Sequence, residues 1–376
     1  MKIKREYIQR LALIVVGLFL ALVVAEISLR IIFPEPQQFY VWRPNLQREF
    51  SPSQGVMPRV TGNSRFYINS EGIRGDEFSE SQEYRILTIG GSTTECAYLD
   101  QEEAWPYLLQ EKLGNNVWVG NIGKSDRNTN HHILQMEYLL PQYPRIDVIV
   151  MLVGACEQLR GDATDEELLD HAFVLHPYKR QSFPQNMAVW RLTQRLIQPR
   201  ANWDMLFPAQ SAVVMEDTGK WYTAAQEHRR NAGIVDDMPN LAPLLEEYEY
   251  NLNAIIDIAK SKSIRLILMT QPSMYRKGLT EQEKNLLWGG AVDESLEKYY
   301  SVRVLAVRDE QRNSKLIEVC QLRGIECIDL ANCLPKDITV FYDDYHFNES
   351  GSKMVADVIG DYLSGREPFI RFNRKQ

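Results

Sequence analysis

No glycine-rich phosphate loop of the Walker or dinucleotide type occurs in the 376 residues. Such a loop is what lets backbone N–H groups cradle phosphates, so no nucleotide cofactor is expected. Positive charge is also short. The net charge is −8, whereas a general nucleic-acid binder needs a basic surface to meet phosphate. Cysteine and histidine are sparse, at five and six, and their spacings do not resemble a zinc knuckle, so no metal is expected either. No internal repeat is evident. What the chain does have is an ordinary globular composition: 44% hydrophobic, 24% charged and 10% aromatic. Its length suits one α/β domain with insertions, or two domains. The cysteines are Cys96, Cys156, Cys320, Cys327 and Cys333. In an oxidising compartment the last three could supply one disulfide, and the odd count leaves at least one thiol free or paired with another chain. The alternative is that all five are buried as small hydrophobes.

The N-terminus carries the strongest compositional signal. Lys2, Lys4, Arg5 and Arg10 precede an apolar run over 11–25, which continues through Glu26, Ile27, Ser28, Leu29 and Arg30 to Phe33 before Pro34 ends it. A membrane-spanning helix needs roughly 20 apolar residues. Residues 11–29 nearly supply that, with Glu26 placed toward the far end, where it reaches the interface or pairs with Arg30. Basic residues ahead of the span predict a cytoplasmic N-terminus and a body in the periplasm or extracellular space. A cleaved signal peptide ending near Val23-Val24-Ala25 is the alternative. The apolar stretch running on to Phe33 favours a single-pass anchor in the inner membrane. The expected division is a cytoplasmic stub and transmembrane anchor over 1–33, a Pro-, Gln- and aromatic-rich juxtamembrane linker over 34–75, and a folded domain over 76–376.

Within that domain, short apolar runs at 85–89, 117–122, 148–153, 265–269 and 326–330 read as strands. Helical stretches read at 104–113, 128–140, 244–261, 301–323 and 350–363. Strands alternating with helices predict a parallel sheet covered on both faces, a three-layer αβα sandwich. Ligands in such sheets bind at the carboxyl ends of the strands, where Ser92, Gly123 and Gly154 fall. The stretch from about 158 to 243 interrupts the rhythm and holds Trp190, Trp203 and Trp221. It reads as a lid over the cleft or as a packing insertion or partner surface.

Serine chemistry needs an exposed hydroxyl on a sharp turn, a histidine to take its proton, a group to orient that histidine, and donors for the oxyanion. Ser92 follows Gly90-Gly91 where a strand meets a helix. Glycines there permit a tight turn and close backbone approach, and a helix N-terminus offers N–H groups to developing negative charge. Of the six histidines, only His346 has an aspartate three residues before it, in Asp343-Asp344-Tyr345-His346. An Asp-x-x-His turn brings the carboxylate to Nδ1 and leaves Nε2 for serine; a capping turn made by Asp343 or Asp344 is the bland alternative. His131-His132, on a polar helix start, reads as solvated.

These pieces, in this order, resemble the SGNH hydrolases, a branch of the GDSL-type esterases and lipases, over about residues 74–363. Gly90-Gly91-Ser92-Thr93-Thr94-Glu95 matches the block that holds the nucleophile, with Gly91 where an aspartate is usual. Asn121-Ile122-Gly123 matches the second block, and Asp343 with His346 the last. The anchor, the Asn69-x-x-Gly72-Ile73-Arg74-Gly75 segment and the Phe341-Tyr342-Asp343-Asp344-x-His346 ending look like membrane-tethered bacterial members. The resemblance implies a flavodoxin-like αβα fold and a Ser92–His346–Asp343 triad. It implies an oxyanion hole from the N–H groups of Ser92 and Gly123, and attack on ester or acetyl groups of a glycan or lipid. One block departs. Where Gly-x-Asn-Asp is usual, this chain reads Gly154-Ala155-Cys156-Glu157, putting a weak S–H donor in place of an amide. Losing one oxyanion donor costs about 100- to 1,000-fold in rate, unless a side chain such as Gln158 substitutes. The expected function is a membrane-anchored extracytoplasmic esterase or O-acyltransferase. The alternative is a catalytically weak or inactive accessory subunit of the same fold, held in a membrane protein complex with a membrane-protein partner.

Overall fold

The apolar N-terminal run has no breaker before Pro34, and it forms one helix, α1 (Lys2–Ile32). Its segment Gln9–Ile32, 24 residues, is long and apolar enough to cross a membrane. The structure is a computed structural model that describes residues 2–32, 38–52, 55–114, 116–177, 187–197, 213–215 and 219–370; Trp203 lies outside them. The chain divides into two compact units, Met1–Phe39 with Leu175–Ser211, and Tyr40–Val174 with Ala212–Gln376. In the first unit α1 packs against a second helix, Ala188–Ile197. Arg30 Nε donates to Glu26 Oε1 at 2.8 Å, the pairing expected from the sequence. Glu26 also accepts the backbone N–H groups of Ala188 at 2.9 Å and Val189 at 3.0 Å.

In the second unit the five apolar runs become β1 (Tyr84–Gly90), β2 (Val117–Asn121), β3 (Val148–Leu152), β4 (Arg265–Met269) and β5 (Glu326–Ile328). All pair in parallel, in the order β5-β4-β3-β1-β2. Every residue of β2 and β3 is buried, as a sheet covered on both faces requires. The covering helices form two layers: α2 (Trp105–Leu113) packs with α6 (Glu349–Ser364), while α4 (Ala242–Ser261) packs with both α3 (Thr129–Leu139) and α5 (Val302–Arg323). Right-handed crossovers explain the sorting, because β1 to β2 runs one way across the sheet and β2 to β3, β4 and β5 runs the other. The result is a three-layer αβα sandwich. Its strand order reverses between β1 and β3, and the carboxyl ends of the strands at such a reversal are where sheets of this kind hold ligands.

Several expectations are corrected. From Tyr40 onward the supposed linker belongs to the second unit. Gln47–Phe50 pairs antiparallel with Ser64–Tyr67 and parallel with Val213–Met215, so part of the insertion is built into the same small sheet. Arg74 pairs its backbone with Asn121 at the end of β2. Its side chain is buried and donates to the carbonyls of Glu95 at 2.5 Å, Cys96 at 2.8 Å and Leu99 at 2.9 Å. Burial pulls its pKa down to about 10, so the guanidinium remains charged at neutral pH. His131 and His132 are buried, not solvated, because α3 turns this face against α4 and the helix Asp165–Ala172. Burial pushes their pKa values down to about 3 and 4. No disulfide forms: all five cysteines are free thiols, and Cys333 is exposed.

Arg74 yields a test of the fold. Replacing it by Gln removes a buried cation and strands two or three buried carbonyls, and breaking such an arrangement costs about 3–5 kcal/mol. Urea unfolding of the Arg74→Gln chain is expected to show that loss, with Arg74→Lys intermediate. A loss under about 1 kcal/mol, the worth of one ordinary hydrogen bond, would mean that water satisfies those carbonyls.

Candidate active site

β1 ends at Gly90, and the chain passes through Gly91 into a single helical turn, Ser92–Glu95. The glycines are a matter of space. A Cβ on Gly90 would meet the Leu152 carbonyl at 2.5 Å and the Thr94 hydroxyl closer still. Thr93, Thr94 and Glu95 are buried, while Ser92 stays half-exposed. The turn's carbonyls are tied down from outside. Asn121 Nδ2 donates to Thr94 O at 2.7 Å, Trp105 Nε1 donates to Thr93 O at 3.0 Å, and Arg74 takes the carbonyls of Glu95 and Cys96. The buried Glu95 carboxylate accepts the Ser125 N–H at 2.6 Å and the Ser125 hydroxyl, which fastens the loop after β2 to the Ser92 turn.

His346 arrives from the far end of the sequence, on the loop before α6. Its Nε2 lies 2.7 Å from Ser92 Oγ, and its Nδ1 2.7 Å from Asp343 Oδ2. Asp343 Oδ1 accepts the backbone N–H groups of Tyr345 at 2.9 Å and His346 at 2.8 Å, so the Asp-x-x-His turn closes as its spacing predicts. Trp288 Nε1 donates to Asp343 Oδ2 at 2.9 Å. Asp344 is engaged elsewhere, by the Tyr275 hydroxyl at 2.5 Å and by the N–H groups of Trp288 at 2.8 Å and Gly289 at 3.1 Å. One short loop, Trp288-Gly289, thus holds both carboxylates. Arg229, from the insertion, donates to the Gly289 carbonyl behind it.

The electrostatics follow from this packing. Burial by itself would lower the pKa of His346, but the Asp343 carboxylate and its hydrogen bond, with Asp344 and Glu95 farther off, outweigh burial and hold it above the ordinary imidazole value. Burial would raise Asp343, and the His346 and Trp288 interactions outweigh that and hold it below the usual carboxylate value. Asp344 is pushed up by burial and by the charge of Asp343. Tyr342 and Trp288 lie parallel to the His346 ring, at 5.5 Å and 6.4 Å between centroids. Trp221 meets Trp288 edge-on at 5.0 Å and is 55% exposed.

The oxyanion side differs from the sequence expectation. The Gly123 N–H is spent on Asn121 Oδ1 at 2.7 Å. Gly123 is required for a steric reason instead, since a Cβ there would sit 2.5 Å from Glu95 N. The wall beside the Ser92 turn is made by the next residues of that loop. The spot a Gly91 Cβ would occupy is 3.4 Å from Arg127 O and 3.9 Å from Cys156 Sγ. Asp126 holds a left-handed backbone, φ 61°, which Asp tolerates better than most residues. Burial pushes the Cys156 thiol up to about 12, so it keeps its proton and has one weak donor to offer. Gln158 is exposed. Trp288 and Asp126 were not singled out from sequence, and Arg74 stood out only as part of the Asn69-x-x-Gly72-Ile73-Arg74-Gly75 segment. For Asp126 the turn-rich Ser125-Asp126-Arg127-Asn128 was the available signal; Trp288 had none.

A serine hydroxyl bonded to a neutral Nε2, with the imidazole's other nitrogen on a buried carboxylate, can act as an activated nucleophile. The raised pKa of His346 predicts that NMR titration of its ring nitrogens finds a midpoint above 6.5. The activated form is then lost as pH falls through that midpoint. In Asp343→Asn the carboxylate that outweighs burial is gone, and the midpoint is expected to drop. An unchanged midpoint would show that Asp343 does not set the ring's charge.

Among solved structures the chain is similar to an aryl esterase of M. Smegmatis (10% identity, 75% of this chain and 99% of that one, TM-score 0.39). It is similar also to a carbohydrate acetylesterase family member from Sinorhizobium meliloti (10% identity, 75% and 98%, TM-score 0.40). A third is a member of the lipolytic G-D-S-L family from Veillonella parvula (11% identity, 75% and 98%, TM-score 0.38). No family model and no curated protein matches the sequence. At such identities the likeness reaches no further than the course of the chain, and the chemistry rests on the geometry around Ser92.

Proposed function

We propose that this chain is a membrane-anchored serine esterase or O-acyltransferase of the SGNH type, acting outside the cytoplasm on ester groups of a glycan or lipid. The observation that carries the reading is the relay Ser92 Oγ–His346 Nε2, His346 Nδ1–Asp343 Oδ2, with both contacts at 2.7 Å. Ser92 Oγ attacks the ester carbonyl and passes its proton to His346 Nε2, while Asp343 stabilises the imidazolium. The tetrahedral oxyanion is met by the Ser92 N–H, which as the first of its helix has no intrahelical acceptor, and by the Cys156 S–H. Collapse breaks the ester C–O bond, and the leaving alcohol takes the proton from Nε2. The acyl-Ser92 is then attacked by water, or by an acceptor hydroxyl, again deprotonated by His346. Trp221 and Trp288 supply an aromatic wall beside the base, suited to a sugar ring or an acyl chain.

The accessory-subunit reading has its own observation, Cys156 at the amide position. The two separate cleanly. A fluorophosphonate probe is expected to label Ser92 in the folded chain, and Ser92→Ala and His346→Ala to abolish labelling. Cys156→Asn is expected to raise the labelling rate roughly 100-fold, the worth of one oxyanion donor. No labelling of folded chain, with a stoichiometric membrane protein co-purifying in mild detergent, would favour the accessory role. Where turnover is found, Trp221→Ala is expected to raise KM for a glycan or long-chain ester roughly tenfold, about 1.4 kcal/mol of aromatic contact. Its kcat, and turnover of a small aryl acetate, should stay unchanged.

A further inference from the structure

We propose that the helix Ala188–Ile197 is a membrane-surface helix, lying along a layer of anionic phospholipid headgroups where α1 leaves the bilayer. The proposal rests on the reading of α1 as a span and adds a second membrane contact to it.

The placement comes from Glu26. Both oxygens of its carboxylate accept N–H groups of the helix's first residues, Ala188 at 2.9 Å and Val189 at 3.0 Å, and Arg30 donates to the same carboxylate at 2.8 Å. Glu26 is 17 positions beyond Gln9, where the span begins. At 1.5 Å per residue that is about 26 Å along the axis, near the far side of a hydrocarbon layer about 30 Å thick. A carboxylate at this depth is costly unless its charge is met, and here two N–H groups and a guanidinium meet it. The second helix therefore starts at the level of the far interface.

Composition identifies what the helix faces there. The chain as a whole carries −8, yet from His171 to Trp203 it has no Asp or Glu, while Lys179, Arg180, Arg191, Arg195 and Arg200 fall in that stretch. In the helix sequence, Val189, Leu192, Leu196 and Ile197 recur at helical spacing and Arg191 and Arg195 recur four apart, the binary pattern of an amphipathic helix. Trp190 is 39% exposed and Leu192 only half-buried. A short basic amphipathic helix with an interfacial Trp is the pattern that lies in the headgroup plane. A second copy of this surface is a poor partner, because an isologous contact would set basic residues against basic residues.

The test uses the full chain in nanodiscs, with the partly or fully exposed Cys156, Cys327 and Cys333 changed to Ser. A single environment-sensitive fluorophore is attached through cysteine at position 18 in one sample and at position 192 in another. Position 18 is expected to be quenched by a mid-chain spin-labelled lipid. Position 192 is expected to be quenched by a headgroup-proximal spin label and shielded from aqueous iodide when phosphatidylglycerol is present. Arg191→Gln with Arg195→Gln should shift its surface-bound equilibrium roughly 25-fold, about fivefold per arginine, and phosphatidylcholine alone should do likewise. Lipid quenching at 18 with free iodide access at 192 overturns the proposal and leaves the span standing. Absence of lipid quenching at 18 overturns both. Shielding at 192 that ignores both lipid charge and the arginine changes assigns the helix to a protein contact and also overturns it.

Discussion

A helix of one turn cannot hold itself together, and the site depends on how this one is held. Nucleating a helix is unfavourable until several hydrogen bonds have formed, and Ser92–Glu95 has only four residues. Its stability is borrowed from the carbonyls at its C-terminal end, which accept from Asn121, Trp105 and Arg74. With that end pinned, the N-terminal residue, Ser92, keeps its partly exposed hydroxyl turned to His346. The segment around Arg74, which looks like a tether when read as sequence, is in physical terms part of the mounting of the proposed nucleophile. The same economy explains Glu95. Its buried carboxylate, whose pKa burial raises, captures Ser125 and so brings the Asp126–Arg127 loop against the serine.

Two adjacent aspartates with opposite pKa directions make the second half of the device. Asp343 and Asp344 are both fully buried, and two carboxylates so close do not both ionise cheaply. Their environments pull them apart. Asp343 faces the His346 imidazole, and Asp344 faces a tyrosine and two backbone N–H groups. Pairs of carboxylates separated in this way mark divided roles: one carries charge for the histidine, the other fixes the loop that keeps Trp288 on the first. The insertion contributes through Arg229, so it is structural support for the acid as well as the source of the exposed Trp221.

Much of this was legible in the sequence, and the failures have physical causes. The five strands follow from continuous apolar runs, which parallel sheets require. Ser92, Asp343 and His346 could be singled out because each sits in a local pattern: a glycine turn after a strand, and an Asp-x-x-His spacing. What local pattern cannot carry was missed. Trp288 reaches Asp343 across 55 positions, and nothing near it in sequence signals that. Gly123 was expected to donate its N–H outward. A polar neighbour two residues earlier, Asn121, captured it, as short-range side-chain to backbone bonds commonly do. His131 and His132 look polar beside Asn128-Thr129-Asn130, yet burial depends on what packs over α3, which only the tertiary arrangement decides. The thiol of Cys156 is the reverse case: it is visible from residue type alone, and the structure adds its place beside Gly91 and the burial that keeps it protonated.

The separation of Ser92 from His346, 254 positions, gives the molecule a clock. At ordinary synthesis rates of about 5–20 residues per second, roughly 10–50 seconds pass between the appearance of the serine and that of the histidine. Throughout that interval Ser92 is an unremarkable hydroxyl. The pair can meet only after β5 and the loop that carries Asp343 and His346 have been synthesised. A nascent chain, or one cut short before His346, therefore lacks the imidazole that the Ser92 hydroxyl bonds in the folded chain, and the contact is among the last that synthesis makes available.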